Sequence, residues 1–454
     1  MAYRFEGTLT RTDERVTRVY PFEVPEGTTH VNVALRYDPV QTEGATLPQQ
    51  ISMSVYGPHG WVAEINRPSD RFDGGTDIGP DPSPGTPPSH VEPGPWRLFL
   101  STYRIVDVIA TFEIDVTFRS EADVPALPAP PAPTDPTDRG PGWYRGDLHA
   151  HTWHSDGRWD SPALIDDMAE RGLDFCTLTD HNTVTGLPEH LHLARDGMLT
   201  LGGSEMSTFR GHMLALGVYE RIEWRRPDGT PIPVSEITDA IHAAGGMAVI
   251  CHPMNPGDPW CCGCRWEHRD MMPGNADAVE IWNGIWDEET RQGIALWRSW
   301  LDAGHRIVAT SGSDHHGMAH HHEAARRHRV AANAVYADAF HRDAILAALA
   351  RGHSYVTAGP TLDLTAEDAV AGRTYRMGDA LDDAGEVELT ARWSDVPDGA
   401  EVTWVRDGVR EPAGRGAAGE ARRVLDPADV RWLTLEVWDD DGAWAISNPV
   451  HGRR

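Results

Sequence analysis

Gly146-Asp147-Leu148-His149-Ala150-His151-Thr152-Trp153-His154-Ser155-Asp156-Gly157 leads from a strand signal straight into a run of His, Ser and Asp. His149 and His151 are two apart, so on a strand both point to one side and two imidazoles can meet one ion. Such a pair arises easily by chance, but Ser155-Asp156-Gly157 behind it at a strand end sharpens the signal. Four further polar clusters end apolar runs. They are Asp180-His181-Asn182 after Phe175–Leu178, Glu205 with His212, His252-Pro253 after Met247–Ile250, and Asp314-His315-His316 after Ile307–Thr310. Helix signals alternate with these runs: Pro162–Arg171 with Ser161 as N-cap, Ser235–Ala244 closed by Gly245-Gly246, and Glu288–Ala303 ending at Gly304. Met213–Val218 and Ala278–Trp282 read as further strands. This rhythm predicts an α/β fold with a parallel sheet, and six or seven units in about 220 residues favour a barrel close to the TIM type. In such a barrel the loops after the strands emerge on one face, so residues distant in sequence converge.

The flanks read differently. Residues 1–120 predict an N-terminal β-sandwich from short alternating runs: Val31–Tyr37, Ile51–Tyr56, Trp96–Leu100 and Thr111–Phe118. Asp70–Pro93, rich in Gly, Pro and Asp, reads as a long solvated connection. Residues 121–141 form a Pro/Ala-rich linker, stiff and extended rather than packed. The barrel takes residues 142–360. Residues 361–454 return to β character in Glu386–Trp393, Glu401–Val405 and Leu433–Trp438. These strands either make a small separate domain or pack on the barrel.

Asp plus Glu outnumber Lys plus Arg by 69 to 40, a formal charge of −29. That field repels nucleic acid and anionic membranes at long range, which argues against a long nucleic-acid track or a membrane partner. A bound metal can reverse the sign inside a pocket. No signal-peptide core or membrane-spanning run is legible, so a cytoplasmic protein is the expectation. Five cysteines argue against a secreted disulfide framework. Imidazoles mixed with carboxylates suit divalent Zn, Mn or Fe, and so many ligands imply more than one ion.

Arg145-Gly146-Asp147-Leu148-His149-Ala150-His151, Thr179-Asp180-His181-Asn182, Glu205 with Gly211-His212, Cys251-His252-Pro253 and Gly312-Ser313-Asp314-His315-His316 occur in the order seen in the PHP (polymerase and histidinol phosphatase) family, which this chain resembles. The spellings look more like the bacterial branch that includes carbaryl-type hydrolases than like polymerase domains. The resemblance covers the barrel and is weak over both flanks. It implies a distorted (β/α)7 barrel with two or three divalent ions. His149, His151, Glu205 and Asp314 would hold the first, Glu205, His212 and His252 the second, and Asp156, His181 and His316 the third. Asp156 stands where some family phosphatases have histidine, which favours Mn or Fe over Zn there. The Asp-x-His spacing prefers His316 to His315 as ligand, and His154 reads as a neighbour of the ligands.

The implied reaction is hydrolysis by a metal-activated water. A phosphoesterase acting on a small phosphomonoester or phosphodiester is the main expectation. A carboxylester, carbamate or amide hydrolase of the carbaryl type and an exonuclease on short oligonucleotides are the alternatives. His181 or His315 would stabilise developing charge, His315 otherwise contacting substrate or sitting in its loop, and Asp147 would orient a ligand histidine through its second ring nitrogen or else stabilise the strand end. Arg145, Arg210 and Arg265 could clamp an anionic small-molecule substrate. Trp260, Trp266, Asn283 and Trp286 could line the pocket. Cys261 and Cys264 have C-x-x-C spacing, which reads as a substrate-side loop, a metal site or a redox pair. His320, His321, His322 and His328 read as a solvated loop or a lid. Oligomeric state is open, a homodimer included.

Overall fold

The computed structural model describes residues 2–39, 49–65, 75–83, 85–106, 109–257, 261–317 and 328–454. Trp260 and His320, His321 and His322 lie outside the described residues. The fold is mixed α/β, rich in strands, with five α-helices among the described residues. None of these is long and apolar enough to cross a membrane.

The first 119 residues form two four-stranded antiparallel sheets. One orders its strands as Ala2–Leu9, Ala110–Arg119, His30–Asp38 and Thr76–Ile78. The other runs Val16–Val24, Gly94–Arg104, Gln50–Gly57 and Gly60–Ile65. Alternation drives the packing: Ala110, Phe112, Ile114 and Val116 all turn inward along one strand. They meet Met53, Val55 and Leu98 of the other sheet in one shared core. Each of these side chains larger than alanine contributes about 1.5–3 kcal/mol when fully buried.

Residues 120–141 carry no regular structure, yet they are not a free spacer. Buried Arg342 bonds the Thr134 carbonyl, the Asp135 carboxylate and the Leu191 and Thr200 carbonyls. One guanidinium thereby ties Thr134 and Asp135 to the sheet beneath, while most of the segment is exposed.

The strands expected in one βα barrel are divided between two sheets. Strands Leu199–Gly202, Phe175–Leu178 and Gly142–Asp147 run parallel at one end of a ten-stranded sheet. The second sheet contains Glu205–Thr208, Gly211–Leu216, Met247–Ile250, Ala278–Asn283 and Val308–Gly312. Its last three strands are parallel, whereas Glu205–Thr208 and Gly211–Leu216 form a hairpin. The two residues between them are too few for a parallel crossover. Single bridges, His181 to Glu205 and Ala150 to His315, join the strand ends of the two sheets.

The C-terminal segment takes the second course open to it. Strand Ala443–Ser447 pairs with Ser354–Thr357, so Trp432–Trp438, Glu401–Arg406 and Val409–Arg415 extend the ten-stranded sheet. A separate four-stranded sheet, Arg373–Arg376, Thr361–Asp368, Val387–Ser394 and Gly419–Leu425, packs beside it. Helix starts follow local chemistry. Asp160, not Ser161, caps Ser161–Glu170 by accepting from Ala163 N, and Asp287 caps Glu288–Asp302 through Thr290 N.

Candidate metal centre

Backbone strain marks the strand ends. Asn182, His252 and Asp314 have φ of 53°, 24° and 51°, a region costly for residues with a side chain. Each follows a short apolar strand, and the turn swings the polar side chains over the junction of the two sheets.

Four ligand atoms face one another there, three of them on buried residues and the fourth on half-buried Asp314. His149 Nε2 and His151 Nε2 lie 3.2 and 3.4 Å from Glu205 Oε2. They lie 3.4 and 3.0 Å from Asp314 Oδ1. The other Glu205 oxygen, Oε1, stands 2.8 Å from His212 Nδ1 and 3.1 Å from His252 Nε2. His181 Nδ1 is 2.8 Å from Glu205 Oε2. Asp156 Oδ1 is 3.1 Å from His316 Nε2 and 3.5 Å from His181 Nε2. His151 stacks between His181 and His316, with centroids 4.3 and 4.2 Å away.

The donor set fits divalent ions. Ligands about 2.0–2.2 Å from one cation stand roughly 3.3–3.6 Å apart in a tetrahedron. The N···O separations around Glu205 and Asp314 fall near that range. His149 Nε2, Glu205 Oε2 and His212 Nε2 are buried and make no hydrogen bond. Buried polar atoms are otherwise hydrogen-bonded as a rule, so an ion is the partner this geometry suits. Groups whose ligand atoms all lie within 4.8 Å of one another include His149, His151, Glu205 and Asp314, and separately His151, Asp156, His181 and His316. Glu205 also groups with His181 and His212, and with Cys251 and His252.

Charges here are strongly coupled. Burial opposes ionisation of Glu205, yet His181, His149 and His212 hold its carboxyl well below the usual range. Burial likewise opposes ionisation of Asp314, which His149, with a hydrogen bond to His151, holds low. Burial, with His316 and His181, pushes the His151 imidazole down to about 3. Burial also lowers His316, but Asp156 carries it up to about 9.

Neighbouring groups orient the imidazoles. Glu280 Oε1 takes His149 Nδ1 at 2.9 Å, and Glu280 Oε2 accepts His252 N–H at 3.1 Å. The Cys264 carbonyl lies 3.0 Å from His252 Nδ1, and the Asp314 carbonyl 2.7 Å from His316 Nδ1. A carbonyl only accepts, so both Nδ1 atoms carry hydrogen and both Nε2 atoms are turned to the cluster. Glu280 escaped sequence reasoning; the available signal was an acid inside the apolar run Ala278–Trp282. Asp147 does not touch a ring nitrogen. Its Oδ1 accepts the backbone N–H groups of His149 and Ser313, each at 3.0 Å, so it fixes the strand end instead.

A cavity of about 200 Å³ opens onto the cluster. Asp156, His181, His212, His252, Asp314 and His316 form its floor. Its other walls bring in Gln50, Ile51, Ser52 and Tyr103 of the N-terminal sheets, with Asn182, Ser207, Cys261 and Cys264. Sequence reasoning missed the N-terminal wall, because nothing in those strands distinguishes a wall from a sheet face.

Several expected contacts fall elsewhere. His315 packs on Trp159, centroids 4.7 Å apart, and its Nδ1 accepts Gly317 N–H, so it does not face the cavity as a charge-stabilising residue would. Arg145, Arg210, Arg265, Trp266 and Asn283 do not line the cavity. Arg210 and Arg265 are exposed. Arg145 lies within a strand and acts on Tyr355. Trp266 is buried in the core with its Nε1 on the Met271 carbonyl. Asn283 donates to Glu280, and Trp286 to the Asp441 carbonyl. His154 bonds Thr185. Cys261 and Cys264 form a disulfide, and both line the cavity.

No protein-family model matches the chain. An uncharacterized protein of Methanocaldococcus jannaschii is 27% identical over 164 residues, 34% of this chain and 89% of that protein. A phosphoribosyl 1,2-cyclic phosphate 1,2-diphosphodiesterase of Eggerthella lenta is 37% identical over 81 residues, 16% of this chain. The match spans 31% of that enzyme's length. Among solved structures, a two-domain protein from Bacteroides vulgatus containing a predicted PHP-like metal-dependent phosphoesterase aligns at 14% identity with TM-score 0.40. That alignment covers 72% of this chain and 100% of the other.

Proposed function

We propose that this chain is a metal-dependent phosphoesterase that hydrolyses a small phosphate ester. Its supporting observation is the convergence of His149, His151, Glu205 and Asp314 on one point, with buried atoms of His149 and Glu205 making no hydrogen bond. His149, His151, Glu205 and Asp314 would hold one Mn, Zn or Fe ion, and Glu205 would be shared with a second at His212 and His252. Asp156, His181 and His316 would hold a third. Bound divalent ions would acidify a water and neutralise the charge that builds on the phosphoryl oxygens. Glu280, the Cys264 carbonyl and the Asp314 carbonyl hold three imidazoles in the tautomer this requires. His181 lines the cavity, where it would act through the ion it helps to hold. The E. lenta relative acts on a cyclic phosphodiester by its description, which agrees with phosphate-ester chemistry here.

A carboxylester or carbamate hydrolase is the second reading. It draws support from the cavity wall, which carries no Arg or Lys among the described residues. The third ligand group weighs toward phosphate, because a carbonyl carbon needs no third cation.

Metal content of protein purified without added metal, with hydrolysis of p-nitrophenyl phosphate, bis-p-nitrophenyl phosphate and p-nitrophenyl acetate, separates the readings. Two or three ions per chain and turnover of a phosphate ester, lost in His149→Ala, is the expected result. Turnover of the acetate alone would overturn it in favour of the second reading.

A further inference from the structure

We propose that Ser207 is a positioning residue of this centre. Its hydroxyl keeps a hydrogen on His181 Nδ1, so that His181 ligates through Nε2 the ion shared with Asp156 and His316, and Tyr103 of the N-terminal sheets keeps Ser207 in place. The inference rests on the metal centre of the phosphoesterase reading and deepens it.

His181 stands in two ligand groups, one with Glu205 and His212 and one with His151, Asp156 and His316. Three observations decide between them. The first is placement. Residues two apart on a strand share a face, so Ser207 follows Glu205 to the cavity side of Glu205–Thr208 while Met206 turns into the core. There Ser207 Oγ lies 2.6 Å from His181 Nδ1.

The second is the hydrogen count. A serine hydroxyl has a single hydrogen to give. Ser207 Oγ donates to the Glu205 backbone carbonyl at 3.2 Å, so toward Nδ1 it accepts. Glu205 Oε2, 2.8 Å from the same Nδ1, is a carboxylate oxygen and also accepts. Closed in by two acceptors, Nδ1 holds a hydrogen rather than an ion. Nε2 is turned the other way, 3.5 Å from Asp156 Oδ1, within the roughly 3.3–3.6 Å that two ligands of one tetrahedral ion keep. His316 is set in the same way, with Nδ1 on the Asp314 carbonyl and Nε2 toward Asp156.

The third is support from outside the strand. Asn182 clasps the Ser207 backbone, accepting its N–H at 3.1 Å and donating to its carbonyl at 3.3 Å. The buried Tyr103 hydroxyl donates to that same carbonyl at 2.8 Å. A tyrosine of the N-terminal sheets thus reaches a candidate ligand through one serine.

The test is chelator-competition titration with manganese(II) of the full chain and of Ser207→Ala, Ser207→Thr, Tyr103→Phe and Asp156→Asn, with thermal unfolding of each. Ser207→Ala should weaken one ion about 10–100-fold and leave the others and the melting temperature unchanged. Ser207→Thr keeps the hydroxyl and should restore the affinity. Asp156→Asn should weaken the same ion, and Ser207→Ala added to it should then cost little more. Tyr103→Phe should weaken that ion less than Ser207→Ala does, because Asn182 still holds the carbonyl. Unaltered affinity in Ser207→Ala, equal loss in the alanine and threonine variants, or loss of every ion together overturns the positioning role. Unaltered affinity in Tyr103→Phe removes the N-terminal sheets from it. A chain that binds no ion at the Asp156 group also overturns the inference, while turnover of p-nitrophenyl phosphate judges the phosphoesterase reading separately.

Discussion

Glu280 shows how much a single buried carboxylate can govern at the residue scale. It holds His149 Nδ1 on one oxygen and the His252 backbone on the other. Glu280→Gln keeps the shape and removes the charge. Metal affinity should fall about 10–100-fold with the far-UV spectrum unchanged, as such partners of metal-binding histidines do. A chelator-competition titration reads this, and unaltered affinity would remove Glu280 from the centre. His316 gives a pH dependence of definite sign. Its imidazole sits at about 9 in the ion-free protein, where burial lowers it and Asp156 more than offsets that. A protonated ring must lose its proton to bind an ion, so affinity at the Asp156 group should rise between about pH 6.5 and 9. Titrations at pH 6.5 and 8.5 check it, and a flat profile contradicts it. The ligand-type residues were legible in the sequence because strand-end His and Asp clusters have few other uses. Glu280 was not, since one acid in Ala-Val-Glu-Ile-Trp reads as part of a strand. For Asp147 and His315 both a site role and a structural one were open, because sequence places a residue at a strand end without saying which way its side chain turns.

Elements carry the next level of control, and the loop after His252 is the clearest case. Its disulfide closes Cys261 to Cys264, and the Cys264 carbonyl reaches His252. Gly263 sits between them at φ +87°, and a Cβ there would fall 2.3 Å from the Thr208 carbonyl oxygen and 3.2 Å from His212 Nε2. Gly263→Ala is both strained and obstructed. It should cost about 1–3 kcal/mol in stability and weaken metal binding together. Thermal unfolding and metal titration on one sample measure both, and a variant with normal melting and normal affinity would show that the loop does not brace the centre. Periodicity revealed the helices at Ser161–Glu170, Val234–Ala243 and Glu288–Asp302 nearly to the residue. It did not reveal the hairpin Glu205–Thr208 to Gly211–Leu216, because apolar runs of four to six residues look alike in parallel and antiparallel sheets.

For the whole molecule, the flanks are joined to the centre by buried polar groups as well as by apolar packing. Arg225, buried, bonds Ser54 and Ser101 of the N-terminal sheet and lies over the Trp224 ring. Arg221 pairs with buried Glu64 at 3.4 Å and donates to the Asn182 carbonyl at 3.2 Å, beside the cavity. Sequence reading found both β-rich flanks from alternation, but alternation reports one buried face and is silent about what lies against the other. Breaking a buried pair by removing one partner costs about 3–5 kcal/mol. Arg221→Met should therefore lower stability on that scale and also disturb the cavity wall. The C-terminal side gives a sharper test. Strand Ser354–Thr357 is buried throughout and pairs with Ala443–Ser447 along its outer edge. A chain ending at residue 360 would expose that apolar edge with its unpaired N–H and C=O groups, which is a template for aggregation. We expect that truncation to be insoluble, whereas a chain whose C-terminal segment formed a separate body would leave a soluble remnant that still binds metal. Expression of residues 1–360, followed by sedimentation and metal analysis, distinguishes these outcomes, and a soluble, metal-loaded product would show that the ten-stranded sheet does not depend on its C-terminal half.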